Sequence, residues 1–202
     1  MEADKGKVCV TGGTGFVASW LIMRLLQHGY FVHTTIRPDP GASEKLQIFQ
    51  ADLRFPESFE AAIKGCTGVF HVATPVDFEN KEPQEVIIKR TIDGTLGILK
   101  ACLNSKTVRR VVYTSSVSAV WFSEKDKIVD TVDESFWSDV DYMKSINYFT
   151  FGPYMISKTF TEKIALEFAE EHGLDLVTII PLLLLVPLFV LNSLAQCTYQ
   201  WL

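Results

Sequence analysis

The chain has 202 residues, 48% hydrophobic and 21% charged, with 19 Lys and Arg against 24 Asp and Glu, a net charge of −5. That length suits a domain with a real core, and this composition excludes a chain disordered throughout. The acidic balance, with Arg109 and Arg110 only an isolated basic pair, excludes a nucleic-acid partner.

The alternation of short apolar runs with helical spacing predicts the elements in order. Val8–Thr11 reads as a first strand and Phe16–Gln27 as a helix with Val17, Leu21 and Leu25 on one face. Phe31–Ile36 and Leu46–Phe49 follow as strands, then a helix over Pro56–Lys64 with proline near its start, and a strand over Val69–Ala73. Pro83–Asn104 reads as a long helix, Arg110–Thr114 as a strand, Tyr148–His172 as mostly helix stopped by Gly173, and Leu176–Ile180 as a last strand. Strands that are continuous apolar runs, alternating with helices, predict an α/β fold with a doubly wound parallel sheet of Rossmann type. Pro38–Lys45 is all that joins the second strand to the third. Such a link stretches roughly 25–30 Å, enough to return bare along a short strand but not to hold a normal helix as well.

The four cysteines (Cys9, Cys66, Cys102, Cys197) form no CxxC pair, which suits a reduced, intracellular protein. The histidines (His28, His33, His71, His172) show neither HxxH nor HExxH spacing, so no metal site is expected. The polar N-terminus leads straight into a strand and reads as no signal peptide. The apolar run Leu176–Leu191 holds two prolines and is short for a membrane span; a buried strand running into an abnormal tail is the expectation. Nothing in the sequence sets an oligomeric state.

Thr11-Gly12-Gly13-Thr14-Gly15-Phe16-Val17-Ala18 follows the first strand and opens the first helix. Gly12, Gly15 and Ala18 hold the positions where a dinucleotide-binding turn needs tight curvature, backbone approach to pyrophosphate and close helix–strand packing. At the end of the second strand an acidic residue would hold a ribose 2′-hydroxyl; Arg37 stands there, and a guanidinium suits a 2′-phosphate, favouring NADPH over NADH. Tyr154 and Lys158 form a YxxxK pair on one helix face, where the ammonium favours the phenolate form of the tyrosine. Ser115 and Ser116 lie just past the fifth strand, at the carboxyl end where open α/β sheets bind ligands.

These stretches, with Phe70–Phe78, Val112–Ser116, Asp133-Glu134-Ser135, Trp137-Ser138-Asp139 and Ser157-Lys158-Thr159, resemble the extended short-chain dehydrogenase/reductase family. The resemblance is closest to its plant branch of dihydroflavonol 4-reductase and vestitone reductase. It implies that Gly12, Gly15, Phe16 and Val17 contact the cofactor, that Arg37 grips the 2′-phosphate and that Asp52 and Leu53 flank the adenine. Val72, Ala73 and Thr74 would run along the nicotinamide ribose, and Pro181 to Leu184 would lie beside the nicotinamide. Ser116 would orient a substrate carbonyl, Tyr154 would give it a proton, and Lys158 would bind the ribose hydroxyls and tune Tyr154. The implied substrate is a small phenolic ketone, the implied product an alcohol, and cytosol the default location.

The sequence departs from the family in three places. The segment after Arg37 is too short for the family's helix, Val186 replaces a glycine just before Pro187, and the resemblance ends there. The expected organisation is therefore a nucleotide-binding domain over residues 1–187 and a divergent apolar tail over 188–202, with no counterpart of the family's C-terminal substrate lobe. A truncated product or gene fragment is the expectation. Two functions stay open: an NADPH-dependent ketone reductase, and a nucleotide-binding fragment without turnover that partners longer relatives. Trp121, in the loop after Ser116, stands where some relatives carry a polar substrate-facing residue.

Overall fold

A computed structural model of the chain describes residues 5–37, 45–75, 82–123, 133, 135–145 and 152–181. Six strands form one sheet: β1 (Lys7–Val10), β2 (Phe31–Ile36), β3 (Leu46–Gln50), β4 (Gly68–His71), β5 (Arg110–Thr114) and β6 (Leu176–Ile179). Their order is β3-β2-β1-β4-β5-β6, and every pairing is parallel. The order reverses between β1 and β4, which opens a crevice at the carboxyl ends of those two strands. The expected strand boundaries hold to within two residues at every strand.

The helices among the described residues are α1 (Phe16–Gln27), α2 (Glu60–Ile63), α3 (Gln84–Ser105), α4 (Val140–Ser145) and α5 (Gly152–His172). Alternation along β1 decides which residue meets which layer. Val8 and Val10 point to α1 and pack with Ala18, Ile22 and Leu25, whose spacing places them on one helix face. Cys9 points the other way, into a core of Phe59, Ile63, Val69, Ile98, Leu99 and Val111 under α2, α3 and α5.

Two expectations are corrected. The helix expected over Pro56–Lys64 is a 3-10 turn over Pro56–Phe59, and only Glu60–Ile63 is α-helical. The fixed φ of Pro56 starts the turn, and Lys64 ends the helix in extended backbone ahead of Gly65, which has φ +74°. The short helix α4 was not expected; Asp139 starts it, its Oδ1 accepting from the backbone N–H groups of Asp141 and Tyr142 at 3.0 Å each. Gly173 has φ +63°, the left-handed conformation expected where it ends α5. Residues 38–44 of the link Pro38–Lys45, and residues 182–202 with Leu184, Val186, Pro187 and the expected tail 188–202, lie outside the described residues.

Candidate functional site

The crevice has a backbone side, made by the turn after β1. Gly12 has φ +74°, and a Cβ there would stand 3.1 Å from the Cα of Ala73, so the turn lies against the chain leaving β4. Gly13 is the tighter position: a Cβ would lie 2.3 Å from Thr34 Oγ1, a hydroxyl held by donating to the Val10 carbonyl at 2.8 Å. Thr35 fastens the turn from below. Its Oγ1 accepts from Gly12 N–H at 3.1 Å and its carbonyl from Gly13 N–H at 2.8 Å. Gly15 caps α1, whose first turn carries no acidic residue, so the free N–H groups at Phe16 and Val17 favour an anion. Ala18, fully buried, makes the close helix–strand contact. This cradle fits the pyrophosphate of a dinucleotide. The sequence pointed to Gly12, Gly15 and Ala18; the steric demand at Gly13 needs the position of Thr34 on another strand.

A histidine bolts the turn to β4. Thr11 Oγ1 accepts from the backbone N–H of Val72 at 3.1 Å and of Ala73 at 3.0 Å, so its own proton goes to His71 Nδ1 at 3.0 Å. His71 is thereby the Nε2–H tautomer, and that N–H donates to Thr95 Oγ1 on α3 at 3.0 Å. Burial, helped by the nearby Lys158 charge, lowers its pKa to about 3, so the ring is neutral. His71 therefore locks Val72 and Ala73 in place.

Beyond the turn, Arg37 is exposed at the end of β2, its carbonyl accepting from Gln50 Nε2 at 3.1 Å. Asp52 is gripped by Arg54 at 2.7 Å, which, with the nearby Arg37 charge, lowers its pKa. Leu53 is clamped by α3. A Cβ at Gly94 would come within 2.9 Å of Leu53 Cδ2, and one at Gly97 within 2.1 Å of Pro56 Cβ. These two glycines, which the sequence reading did not single out, let α3 close on the turn that carries Asp52 and Leu53.

The second side is built from side chains of α5. Lys158 is 1% exposed, and its Nζ donates to Thr74 Oγ1 at 3.3 Å, Tyr113 OH at 3.1 Å and the Thr114 carbonyl. It also lies 4.5 Å from the Tyr113 ring centre. All three ammonium protons thus have acceptors, and they tie α5 to the ends of β4 and β5. Burial is the larger influence on this amine and lowers its pKa to about 7, against an upward pull from Glu162. The two serines after β5 have separate fates. Ser115 is buried and donates to Glu162; Ser116 is half-buried and opens a 3-10 turn, its Oγ accepting from Ser118 N–H at a long 3.3 Å. Thr159 reaches back to the Ser118 carbonyl at 3.3 Å, so α5 crosses the turn that carries Ser116. Tyr154, one helical turn before Lys158, is half-buried against the cluster of Met143, Met155 and Ile156. Pro181 follows β6 and is half-buried.

Residues 8–191 match the NAD dependent epimerase/dehydratase family. The chain belongs to that family. Vestitone reductase of Medicago sativa is 56% identical over 193 residues, covering 89% of this chain and 58% of the relative. The crystal structure of vestitone reductase from alfalfa superposes with a TM-score of 0.75 at 55% identity, over 87% of this chain and 56% of that one. Dihydroflavonol 4-reductase of Zea mays is 49% identical over 197 residues, 92% of this chain and 54% of the relative. Yeast methylglyoxal/isovaleraldehyde reductase, crystallised with NADPH, is 26% identical with a TM-score of 0.74, over 86% of this chain and 56% of that one. The chain thus spans a little over half the length of each of these family members.

The three described cysteines, Cys9, Cys66 and Cys102, are free and buried. Burial raises the Cys66 pKa to about 11 and that of Cys102 to about 12, which makes both poor nucleophiles at neutral pH. Among the described residues no helix is long and apolar enough to cross a membrane.

Proposed function

We propose that the chain is the nucleotide-binding part of an NADPH-dependent oxidoreductase that reduces a ketone to an alcohol on a flavonoid or isoflavonoid-type substrate, with Tyr154 as proton donor. The observation that supports this reading is the docking of α5, the helix of Tyr154, at the ligand end of the sheet: Lys158 bonds the ends of β4 and β5, and Thr159 the Ser118 carbonyl in the turn after Ser116. Gly12, Gly13, Gly15, Phe16 and Val17 would hold the pyrophosphate, Arg37 the 2′-phosphate, Asp52 and Leu53 the adenine end, and Val72, Ala73 and Thr74 the ribose beside the nicotinamide. Pro181 and Leu184 would border the nicotinamide itself. NADPH bound there supplies a hydride to the carbonyl carbon. Ser116 Oγ donates to the carbonyl oxygen and orients it. The Tyr154 hydroxyl gives that oxygen its proton, and the Lys158 ammonium, one turn away, steadies the phenolate left behind. Lys158 would also bind the ribose hydroxyls. The relatives' names support a small phenolic ketone as substrate, and cytosol is the proposed location.

A second reading draws on the share of the relatives that the chain spans: a nucleotide-binding fragment without turnover, partnering longer relatives. One series separates the two. A built site at a hundred times its dissociation constant gains about 2.7 kcal/mol of stability from NADPH. Tyr154→Phe is expected to keep that gain and to abolish reduction of flavanonol and isoflavanone ketones. A Tyr154→Phe chain that reduces at the parent rate overturns the assignment of the proton donor. NADPH binding with no turnover in the parent selects the second reading, and no NADPH-linked gain overturns both.

A further inference from the structure

Glu162 has no part in the roles above, yet it is the most enclosed carboxylate among the described residues, 2% exposed on α5 one turn beyond Lys158. A carboxylate in such a place is costly unless its charge and lone pairs are met. Ser115 Oγ donates to Glu162 Oε2 in a short hydrogen bond across 47 residues of sequence, holding the carboxylate beneath the end of β5. The Lys158 ammonium is equally enclosed, but its three donors all go to uncharged acceptors: Thr74, Tyr113 and the Thr114 carbonyl. Two opposite charges therefore lie one helical turn apart, each hydrogen-bonded to neutral groups.

The titratable groups facing Lys158 among the described residues are His71 from β4, Tyr113 from β5, and Tyr154 and Glu162 from its own helix. His71 is held neutral by burial and by the Lys158 charge itself. Tyr113 is held in its phenol form, first by burial and then by the charge of Glu162. From α3, Thr95 reaches His71 with no charge. Glu162 alone among them supplies a countercharge, and it draws the Lys158 pKa up against the stronger effect of burial.

We propose that Glu162 is a positioning residue of this site: its carboxylate, anchored by Ser115, is the countercharge that holds Lys158 as an ammonium at the floor of the cleft. The inference rests on the reading of Lys158 as the ammonium of a reductase site. Its consequence is chemical. Lysine can order ribose hydroxyls and steady a phenolate only while charged, so Glu162 would set the alkaline limit of the working range.

The test follows the Lys158 side chain directly, in the full chain without nucleotide. Lysine labelled at Cε and Nζ is titrated by NMR, the Lys158 signal being the one lost in Lys158→Met. Glu162→Gln keeps the volume and an oxygen that can accept from Ser115 but removes the charge. Its Lys158 midpoint is expected to fall by about one pH unit or more, whereas Ser115→Ala, which keeps the charge, moves it less. An unchanged midpoint in folded Glu162→Gln overturns the proposal. If that variant does not fold, stability decides: Lys158→Met/Glu162→Gln is expected to exceed Lys158→Met, because the single variant leaves a buried charge alone. A double variant no more stable than the single one overturns it. NADPH binding, measured on the same samples, keeps the two readings apart. A Glu162-dependent midpoint without NADPH binding sinks the reductase reading and leaves the countercharge role standing; NADPH binding with an unchanged midpoint does the reverse.

Discussion

The two sides of the crevice are made of different materials. The side built on β1, β2 and α1 is backbone: Gly12 and Gly13 leave no room for side chains, Thr35 takes both of their N–H groups and Thr34 packs on Gly13, and the N–H groups of Phe16 and Val17 stay open at the start of α1. The side built on β4, β5 and α5 is made of buried polar side chains joined across long stretches of chain: Lys158 to Thr74 over 84 residues, Thr11 to His71 over 60. The first side is limited by sterics and is indifferent to pH. The second is limited by charge and desolvation, and it is where acid or base acts.

The largest effect is expected on the polar side, at His71. Its unfolded value is near 6.5 and its folded value about 3, so between those limits the unfolded chain binds a proton that the native chain refuses. Stability from this group is complete above pH 6.5 and is lost as pH falls towards 3, by up to about 1.4 kcal/mol per pH unit. His71→Gln, which can still accept from Thr11 and donate to Thr95, is expected to lack that portion of the slope. Urea unfolding of both chains at several pH values checks it; equal slopes would mean that the ring titrates in the native fold.

Next comes the steric side. Gly13→Ala forces a methyl group onto a Thr34 hydroxyl that is buried and hydrogen-bonded, at an expected cost of about 1–3 kcal/mol. In that background Thr34→Ala should cost clearly less than in the parent, because it removes the atoms that clash. A double-mutant cycle in urea measures the coupling; additive costs would show that the turn yields by moving elsewhere.

The smallest effect is expected at the far edge of the sheet. Val177 and Ile179 on β6 are 39% and 50% exposed, on the sheet face whose cluster under α1 takes in residues of β1, β2, β3 and β4 but none of β5 or β6. Ile179→Thr should change stability by no more than about 0.5 kcal/mol in either direction. A loss above about 2 kcal/mol would show that this face is covered in solution and that the contrast between a closed and an open region is overstated.

How much of this was legible depended on how local the cause is. The strands, α1, α3 and α5 could be read because apolar spacing along one segment reflects one layer boundary, the same all along that segment. The glycine turn and the Tyr154–Lys158 pair were equally open to reading, since each is a contiguous pattern. The 3-10 start at Pro56 and the short α4 were missed; each is set by local backbone bonds too few to leave a periodic signal. Nothing near Gly13 in the chain says that Thr34 lies over it, nothing near Gly97 that Pro56 does, and nothing near Glu162 that it receives the Ser115 proton.

The residues in order were enough for the layers, the family and the list of groups able to do chemistry, because periodicity and contiguous motifs are properties of neighbours in the chain. Only the folded arrangement decided which serine is buried on Glu162, which tautomer His71 adopts and where the Lys158 ammonium directs its protons. Those are outcomes of burial and of distances between residues far apart in sequence, and desolvation and Coulomb energy depend on such distances alone.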